Sequence, residues 1–361
     1  MGEAVDCAVC SHKLYSNPYE FHGVMLKDIA NAQVYVFLEI YKYGNDHLGN
    51  LYRQAFVNAA KRGVKVRLLL DSWGVSVNKE YFKELIDNGG EVQFFNKLLF
   101  TFNYFIKNHK RNHRKFLIID DKIGYIGSAN IGDYALNWRE SMLRVEGSLA
   151  KLFRNSFVEC CKIYNKYFYS PNVYKKAKYY HDFELVEDIP SIYRQHIKTR
   201  LERLIKSAAK EISMETPSFL PGHVIRHLLA KATARGVSVT IMIPQHSDVR
   251  SVDLISSKYY GYYYENNINL YFYVPGNLHA KVLIVDDKIF ALGSPNIDYR
   301  SFRYQHEALL IGTHEGILDE CRAHLQDTFR DCVAFDYEAW KFRPNHYKVL
   351  GWLLLPFRHF F

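Results

Sequence analysis

Two stretches of the sequence repeat one pattern of polar residues that could carry out phosphoryl chemistry. Residues 113–130 read HRKFLIIDDKIGYIGSAN and residues 279–296 read HAKVLIVDDKIFALGSPN, at a constant offset of 166. The matching polar and glycine positions are His113/His279, Lys115/Lys281, Asp120/Asp286, Gly127/Gly293, Ser128/Ser294 and Asn130/Asn296. Any one of these residues alone has an ordinary structural explanation, but the doubled six-position pattern indicates a functional site.

The spacing within each copy gathers several polar groups around the histidine. Alternate residues of a β-strand point to the same side, so His113 and Lys115 project into one space. After a short turn, Ser128 and Asn130 follow the same rule on a second strand. A phosphate suits this cluster, because the lysine neutralises its charge while the hydroxyl and the amide donate hydrogen bonds to its oxygens. We therefore predict that phosphate is bound by Ser128, Asn130, Ser294 and Asn296.

The two copies complete one active site if the halves of the chain pack about a pseudo-twofold axis with both motifs facing inward. One histidine then attacks phosphorus in line while the other protonates the leaving alcohol. The roles reverse when water or an acceptor alcohol enters. Imidazole suits both steps because its unperturbed pKa of about 6.5 lies near neutrality. Lys115 and Lys281 would supply the charge stabilisation that Mg²⁺ gives at other phosphoryl-transfer sites.

Carboxylates are expected to hold each imidazole in the correct tautomer, as the acid of a catalytic triad does. Glu140 lies 27 residues after His113 and Glu307 lies 28 residues after His279, so each is the candidate partner for the histidine of its own half. Asp120 and Asp286 are also counted among the catalytic candidates. A structural role at the end of a strand explains these two aspartates equally well.

The elements that must position the motifs are repeated too. Residues 59–71 (AAKRGVKVRLLLD) resemble residues 232–244 (ATARGVSVTIMIP), and each segment predicts a helix end, a glycine stop and a buried strand. Another apolar strand is expected at 34–39 and at 211–215. This alternation predicts an α/β fold of two pseudo-twofold-related domains, each a mixed β-sheet flanked by helices, with one shared active site at their interface. We place the domains at 1–175 and 176–361, with the connection near 165–195.

Composition limits the partners and the compartment. The net charge of +9 favours an anionic partner, either nucleic acid, phospholipid or a phosphorylated small molecule. Six scattered cysteines favour a reducing compartment, and Cys7 and Cys10, at metal-knuckle spacing, lack a second ligand pair, so we expect no metal. The N-terminus shows no secretory signal and no apolar run of transmembrane length. The amphipathic C-terminal tail at 347–361 either docks on the protein or lies in a membrane interface.

The doubled pattern resembles the phospholipase D superfamily, and within it the bacterial cardiolipin synthase branch. The resemblance runs from about residue 15 to residue 335 and includes NHRK at 112–115 and NIDYRSF at 296–302 followed by Glu307. It implies two phospholipase D-like domains and transfer of a phosphatidyl group between phospholipids, typically phosphatidylglycerol, without metal or cofactor. It also makes His113 the favoured nucleophile and His279 the acid and base.

The same resemblance implies a protein that is peripheral to a membrane, at the cytoplasmic face of a bacterial inner membrane, and that needs no oligomer. The chain departs from the branch in three ways. Cardiolipin synthases commonly carry N-terminal transmembrane helices, which this sequence does not show. It has Gln305-His306 before Glu307 where Asn-Phe is common, and Pro295 within the second Gly-Ser-x-Asn. These departures leave the acceptor alcohol open.

Three reactions fit this site: transfer to a lipid alcohol, hydrolysis to phosphatidic acid, and cleavage of nucleic acid. The basic residues Lys107, Lys110, Arg111 and Arg114 would suit a nucleic acid, an anionic lipid surface or a solvated loop. The apolar stretch at 99–106 and the aromatic tail favour a lipid. We therefore rank lipid transfer first and lipid hydrolysis second, and we do not expect nucleic acid as the partner.

Overall fold

Strands and helices alternate in both halves of the computed structural model, which describes residues 7–95, 109–163 and 177–360. The first half contains β1 (Ser11–Tyr15), α1 (Pro18–Asn31), β2 (Tyr35–Ile40), α2 (His47–Lys61), β3 (Lys65–Asp71), α3 (Lys83–Asp87), β4 (Glu91–Phe95), β5 (Arg111–Asn112), β6 (Phe116–Ile119), β7 (Ile123–Gly127), β8 (Met142–Glu146) and α4 (Leu149–Cys161). The second half contains β9 (Lys178–Tyr180), β10 (Phe183–Asp188), α5 (His196–Ser207), β11 (Glu211–Glu215), α6 (His223–Ala234), β12 (Ser238–Pro244), α7 (Arg250–Ser256), α8 (Tyr260–Glu265), β13 (Ile268–Tyr273), β14 (Val282–Val285), β15 (Ile289–Gly293), α9 (Tyr299–Tyr304), β16 (Gln305–Gly312), α10 (Glu315–Arg330), β17 (Cys332–Ala334), α11 (Tyr337–Lys341) and α12 (Asn345–Leu354). Short 3₁₀ turns lie at Asp133–Ala135, Ser257–Tyr259 and Leu355–Phe360.

The two sheets arrange equivalent strands in the same order and direction. The first sheet has the order β1-β8-β7-β6-β2-β3-β4, in which β2, β3 and β4 are parallel and the other neighbours are antiparallel. The second has the order β17-β13-β12-β11-β14-β15-β16-β10-β9, and its parallel strands β11, β12 and β13 correspond to β2, β3 and β4. The hairpins β6–β7 and β14–β15 carry the polar motifs. The predicted α/β class, with a mixed sheet and helices in each half, is confirmed.

Local sequence explains the strands and the helix ends. The central strands β2, β6 and β14 are buried along their whole length, as expected for apolar strands covered on both faces. α2 begins after Asp46, whose carboxylate accepts a hydrogen bond from the amide of Gly49. After α2 and α6, Gly63 and Gly236 adopt φ angles of +85° and +89°, a left-handed conformation that favours glycine. The predicted glycine stops are therefore confirmed.

A hydrophobic cluster shared by the two halves fills the space between the sheets. It combines residues of β6 and α4, such as Ile118 and Phe153, with residues of β14 and α10, such as Ile284 and Leu318. Each half also has a cluster of its own on the other face of its sheet, where Leu117 of β6 points. Because alternate residues of β6 supply both clusters, the sheet that carries the first motif is fixed against the other half.

Asp120 and Asp286 hold the motif hairpins to neighbouring strands. Both occupy left-handed turn positions, with φ angles of +56° and +55°. The carboxylate of Asp120 accepts hydrogen bonds from the amides of residues 33–35, just before and at the start of β2, at 2.7–2.8 Å. The carboxylate of Asp286 does the same with the amides of residues 209–211, just before and at the start of β11, at 2.7–3.1 Å. These contacts agree with the structural alternative for the two aspartates.

The C-terminal tail packs on the second half and also presents apolar side chains to solvent. α12 and the 3₁₀ turn after it contact α7 and α9, and Gly351 is buried against the carbonyl of Leu254. Six large hydrophobic residues of this segment are exposed, namely Tyr347, Val349, Leu350, Trp352, Leu353 and Phe357. Both predicted roles of the tail are thus compatible with its position. No helix in the described ranges is long and apolar enough to cross a bilayer.

Several features discussed from sequence lie outside the described residues. These are the apolar stretch at 99–106, Lys107 and the boundary between residues 175 and 176. The division into domains at that position stays a prediction.

Candidate active site

Each motif begins on a short stretch of backbone that pairs with the other half of the chain. β5, just before His113, runs parallel to the start of β16, and the amide of His113 donates to the carbonyl of His306 at 3.0 Å. In the equivalent place, the amide of His279 donates to the carbonyl of Arg139 at 2.8 Å. Residues 306 and 139 directly precede Glu307 and Glu140. The backbone pairing therefore brings each histidine beside the glutamate of the opposite half.

The two histidine–glutamate pairs are crossed between the halves. Nδ1 of His113 lies 2.9 Å from Oε1 of Glu307, and Nδ1 of His279 lies 2.9 Å from both carboxylate oxygens of Glu140. The glutamates lie beside the histidines as predicted. The predicted pairing of each histidine with the glutamate of its own half is wrong, because each histidine contacts the glutamate of the other half. A carboxylate on Nδ1 fixes the tautomer and leaves Nε2 for the substrate.

The serines of the motifs support the glutamates. The hydroxyl of Ser128 donates to Glu140 and that of Ser294 donates to Glu307. Each hydroxyl also accepts from the backbone amide of the residue that follows the glutamate, at 2.8 and 3.0 Å. Since both serines are buried and these bonds occupy their hydroxyls, their geometry does not match the predicted donation to phosphate. They instead fix the glutamates that orient the histidines.

The motif lysines lie directly behind the histidines. Nζ of Lys115 donates to the carbonyl of His113 and Nζ of Lys281 donates to the carbonyl of His279, both at 2.6 Å. Both lysines are buried. Their ammonium groups are therefore held in fixed positions beside the histidines. Their charges act on His113, so they can stabilise negative charge that develops there.

One cavity of about 220 Å³ contains both histidines. Asn130 and Asn296, the remaining predicted phosphate ligands, line it as well. Its volume is several times the ~30 Å³ that one molecule occupies in liquid water, so it has room for a phosphate with part of a headgroup. Tyr41 packs edge-on against His113 at 5.0 Å between ring centres, and Trp138 lies 5.3 Å from the ring of His279. The predicted convergence of the two motifs on one space is seen in this cavity.

Burial and mutual repulsion make the cations of this site easy to deprotonate. Desolvation, followed by the charges of Lys115 and Lys281, lowers the pKa of His113 well below its ordinary value. Desolvation lowers the pKa of Lys281 to about 8, although Glu140 and Glu307 oppose this change. An arriving phosphate diester restores the charge balance, because a nearby anion favours the protonated forms. The site is thus prepared for an anion.

The two glutamates differ in charge. Desolvation raises the pKa of Glu307 to about 8. Desolvation acts on Glu140 in the same direction, but the neighbouring His279 and Lys281 outweigh it, and the pKa of Glu140 is lowered. Glu140 is therefore an ionised partner at neutral pH. Its charge opposes the desolvation that lowers the pKa of His279, whereas the pKa of His113 is lowered much further, so His279 is the more readily protonated of the two imidazoles.

Two arginines of the basic run are structural. Arg114 is buried between Glu39 at 3.3 Å and Glu187 of the other half at 3.1 Å, and Arg111 lies 3.4 Å from the buried Asp71. They are neither a solvated loop nor the wall of a nucleic-acid cleft, because their charges are balanced in the interior. The carboxylates that bind them come from β2, β3 and β10, and no sequence motif marked those partners.

Other residues of the cavity were not found from the sequence. Lys42, Ser218, Asp248 and Arg300 line it together with the motif residues. They stand in loops or helices beyond the repeated pattern, and only Arg300 falls within a segment that the family resemblance had marked. In the described ranges, no three His, Cys, Asp or Glu side chains are grouped as a metal site would require, and Cys7 and Cys10 are exposed.

Comparison with known families agrees with this geometry. The chain matches the family described as cardiolipin synthase, phospholipase D-like domain, over residues 25–161 and 201–329. The chain belongs to the phospholipase D-like cardiolipin synthase family. It is 33% identical over 297 residues to the major cardiolipin synthase ClsA of Bacillus subtilis, and these residues are 78% of this chain and 61% of that protein. It is 31% identical over 343 residues to the cardiolipin synthase of Listeria monocytogenes, covering 90% of this chain and 69% of the relative. The chain therefore spans less than two thirds of the length of the first of these relatives.

Solved structures share the fold of this cardiolipin synthase family member at low sequence identity. The phosphatidylserine synthase of Haemophilus influenzae superposes with a TM-score of 0.75 at 14% identity, covering 98% of this chain and 93% of that one. The polyphosphate kinase of Porphyromonas gingivalis gives a TM-score of 0.62 at 12% identity, covering 91% of this chain and 49% of that one. These likenesses establish the two-domain architecture. The predicted superfamily and branch are confirmed by the family match.

Proposed function

We propose that this protein is a phosphatidyltransferase of the cardiolipin synthase type, which moves a phosphatidyl group from one phospholipid to the headgroup alcohol of another through a phospho-histidine intermediate. The observation that carries the proposal is the pair of crossed His–Glu contacts on one cavity. Two imidazoles, each oriented by a carboxylate and backed by a lysine, supply one nucleophile and one acid for a phosphodiester. Family membership gives the lipid context.

In the first step, Nε2 of His113 attacks the phosphorus of the donor lipid. A P–N bond forms, the P–O bond to the headgroup breaks, and His279 gives its Nε2 proton to the leaving alkoxide. Lys115 and Lys281 stabilise the charge that develops on the phosphoryl oxygens. In the second step, His279 takes the proton of the acceptor hydroxyl, the new P–O bond forms and the P–N bond breaks.

The assignment of His113 as the nucleophile rests on the charge asymmetry of the two pairs. The lowered pKa of His113 leaves its imidazole neutral, so that a lone pair is available for attack. Desolvation lowers the pKa of His279 as well, but the negative charge on Glu140 opposes that change, so His279 takes up a proton more readily than His113 and suits the role of the acid. The family resemblance points to the same assignment.

A peripheral position on an anionic membrane fits the surface near the cavity. α7 contributes Val252 to the wall of the cavity and α9 contributes Arg300, and the tail packs on both helices. The tail exposes Trp352 at 64% and Phe357 at 55% of their full surface, and Lys348 and Arg358 stand in the same segment. Exposed aromatic residues beside basic ones are typical of a surface that lies in a membrane interface. We propose that the cavity faces the lipid surface at this side.

The proposal is tested by incubating the purified protein with phosphatidylglycerol vesicles and analysing the lipids by mass spectrometry. We expect cardiolipin together with released glycerol in equal amounts. His113→Ala should lose both products, whereas His227→Ala, a change at an exposed histidine outside the cavity, serves as the matched control. Phosphatidic acid as the only product would show that the protein hydrolyses the phospholipid and does not transfer the phosphatidyl group. No lipid turnover by the unchanged protein would overturn the proposal.

A further inference from the structure

Two cations line the cavity without belonging to the repeated motifs. Lys42 follows β2 in the first half, and Arg300 lies in α9 of the second half. Nζ of Lys42 lies 5.1 Å from the centre of the Tyr134 ring. The catalytic steps proposed above need neither of them, because those steps assign the charge stabilisation to Lys115 and Lys281.

These two cations break the twofold symmetry of the cavity. β2 and β11 carry equivalent glutamates, Glu39 and Glu215, and the residue three places later is Lys42 in one half and Ser218 in the other. Arg300 stands four residues after Asn296, and the residue four places after Asn130 is Tyr134. The reaction centre is therefore repeated, while the surroundings differ in charge between the halves. Such an asymmetry can distinguish two substrates that carry the same reacting group.

The proposed reaction brings two phosphodiesters into this cavity. One is the donor phosphate, which must reach His113. The other belongs to the acceptor lipid and stands one glycerol unit away from the hydroxyl that attacks. Taking that second anion out of water requires cations of its own, and an arginine suits it because the guanidinium can bind two phosphate oxygens at once.

The electrostatics place both side chains close to the reaction centre. The charge of Arg300 is among those that lower the pKa of His113, after desolvation and the charges of Lys115, Lys281 and His279. The charge of Lys42 contributes in the same way to the lowered pKa of Lys115, behind desolvation and larger charge effects. Arg300 thus acts electrostatically on the attacking histidine, and Lys42 acts on the lysine behind that histidine.

One side-chain oxygen of the cavity wall also has no hydrogen-bond donor within the described residues. Oδ1 of Asn296 is buried and accepts no hydrogen bond within the described residues, although the side chain lines the cavity. A buried acceptor without a donor is costly, and a substrate hydroxyl would satisfy it. The central hydroxyl of the glycerol that joins two phosphates is such a donor. Asp298 lines the same wall, but its carboxylate caps α9 at the amide of Ser301, 2.8 Å away.

We propose that Lys42 and Arg300 form a second anion subsite that binds the phosphodiester of the acceptor lipid, with Asn296 binding the hydroxyl of its glycerol. This inference rests on the proposed function and assigns the residues that select an acceptor carrying its own phosphate. The acceptor hydroxyl gives its proton to His279 as its oxygen bonds to phosphorus and the P–N bond to His113 breaks. The same subsite holds the leaving lipid when cardiolipin is cleaved in reverse.

The test measures how the phospho-histidine intermediate is divided between two acceptors. Phosphatidylglycerol vesicles are supplied with excess isotope-labelled glycerol, so that labelled phosphatidylglycerol reports the uncharged acceptor and cardiolipin reports the phosphate-bearing one. We expect Arg300→Gln and Lys42→Gln each to lower the ratio of cardiolipin to labelled phosphatidylglycerol about tenfold, and Arg300→Lys to keep most of it. Because both products come from one intermediate, the ratio does not depend on how much of a variant is folded.

Arg303→Gln is the matched control, since Arg303 lies on the same helix but does not line the cavity, and its ratio should equal that of the unchanged protein. A double variant Lys42→Gln/Arg300→Gln with an unaltered ratio would overturn the subsite. An unchanged protein that forms neither product would instead refute the proposed function. The two failures are therefore distinguishable.

Discussion

His113 and Glu307 lie 194 residues apart in the chain, and Nδ1 of the first is 2.9 Å from Oε1 of the second. His279 and Glu140 make the reciprocal contact at 2.9 Å. Neither motif histidine therefore takes its carboxylate partner from its own half of the chain. The repeat is more than a duplicated domain, because each copy completes the catalytic apparatus of the other.

The crossed pairs predict different kinetic defects for the two glutamates. The assay uses a donor lipid whose leaving group needs no protonation, such as a p-nitrophenyl ester. Glu307→Gln should slow the initial burst of nitrophenol by about 10²- to 10⁴-fold, because His113 loses its orienting partner. Glu140→Gln should leave the rate of the burst unchanged and slow the transfer step that follows. Rapid-mixing kinetics separate the two phases. If the pairs within each half were the functional ones, the two variants would exchange these defects.

Asp120→Ala should reduce stability without altering the chemistry. The substitution removes a carboxylate that accepts hydrogen bonds from three backbone amides just before and at the start of β2. We expect a loss of about 1–3 kcal/mol in the free energy of unfolding. The midpoint of urea unfolding measures this change. Asp87→Ala, at an exposed aspartate that pairs with Lys83 in α3, should change the free energy of unfolding by less than about 0.5 kcal/mol. A loss of activity in fully folded Asp120→Ala protein would restore the catalytic interpretation of this residue.

The depressed pKa of Lys281 predicts an alkaline limit to activity. Its protonated form is required to stabilise the phosphoryl charge, so the form that works is present below the pKa of about 8 and is lost as the pH rises through it. We expect kcat/KM to fall tenfold per pH unit above that value. In Lys281→Arg the limit should move upward, because a guanidinium does not deprotonate in this range. A limit that stays near pH 8 in the arginine variant would assign it to another group.

The exposed apolar face of the tail predicts weaker membrane binding when it is made polar. Trp352→Ser/Leu353→Ser changes two exposed residues without disturbing the buried contact of Gly351, so the fold should survive. We expect at least a tenfold lower fraction sedimenting with phosphatidylglycerol vesicles, since each large apolar side chain contributes about 1.5–3 kcal/mol on burial. Tyr193→Ser, at a residue exposed to 91%, is the control for surface polarity. Equal sedimentation of the unchanged protein, the tail variant and the Tyr193→Ser control would show that the tail is not a membrane contact.

The reaction centre and the architecture could be predicted because both depend on sequence patterns between neighbouring residues. The doubled spacing from His113 to Asn130 follows the two-residue period of a strand, and the glycine stops at Gly63 and Gly236 end helices for a conformational reason. Repetition then supplied the pseudo-symmetry and the shared cavity. Each of these inferences needs only neighbours in sequence or the comparison of two segments.

Contacts between distant segments could not be predicted in this way. The pairing of β5 with β16 decides that Glu307 serves His113, and no feature near either residue encodes it. The hydroxyl of Ser128 was assigned to phosphate because the spacing shows the direction of a side chain but not which acceptor it meets there. The burial of Arg114 between carboxylates of two different halves is likewise a product of packing.

The central claim is tested most directly by trapping the covalent intermediate. His279→Ala protein is mixed with the p-nitrophenyl phosphatidyl donor, and its peptides are analysed by mass spectrometry under alkaline conditions that preserve phosphoramidates. Nitrophenolate leaves without a proton from His279, whereas the second step needs that histidine and is blocked. We therefore predict close to one phosphatidyl group per protein, attached to the peptide that contains His113. His113→Ala protein that accumulates the adduct on His279, or the absence of any adduct in either variant, would contradict the account.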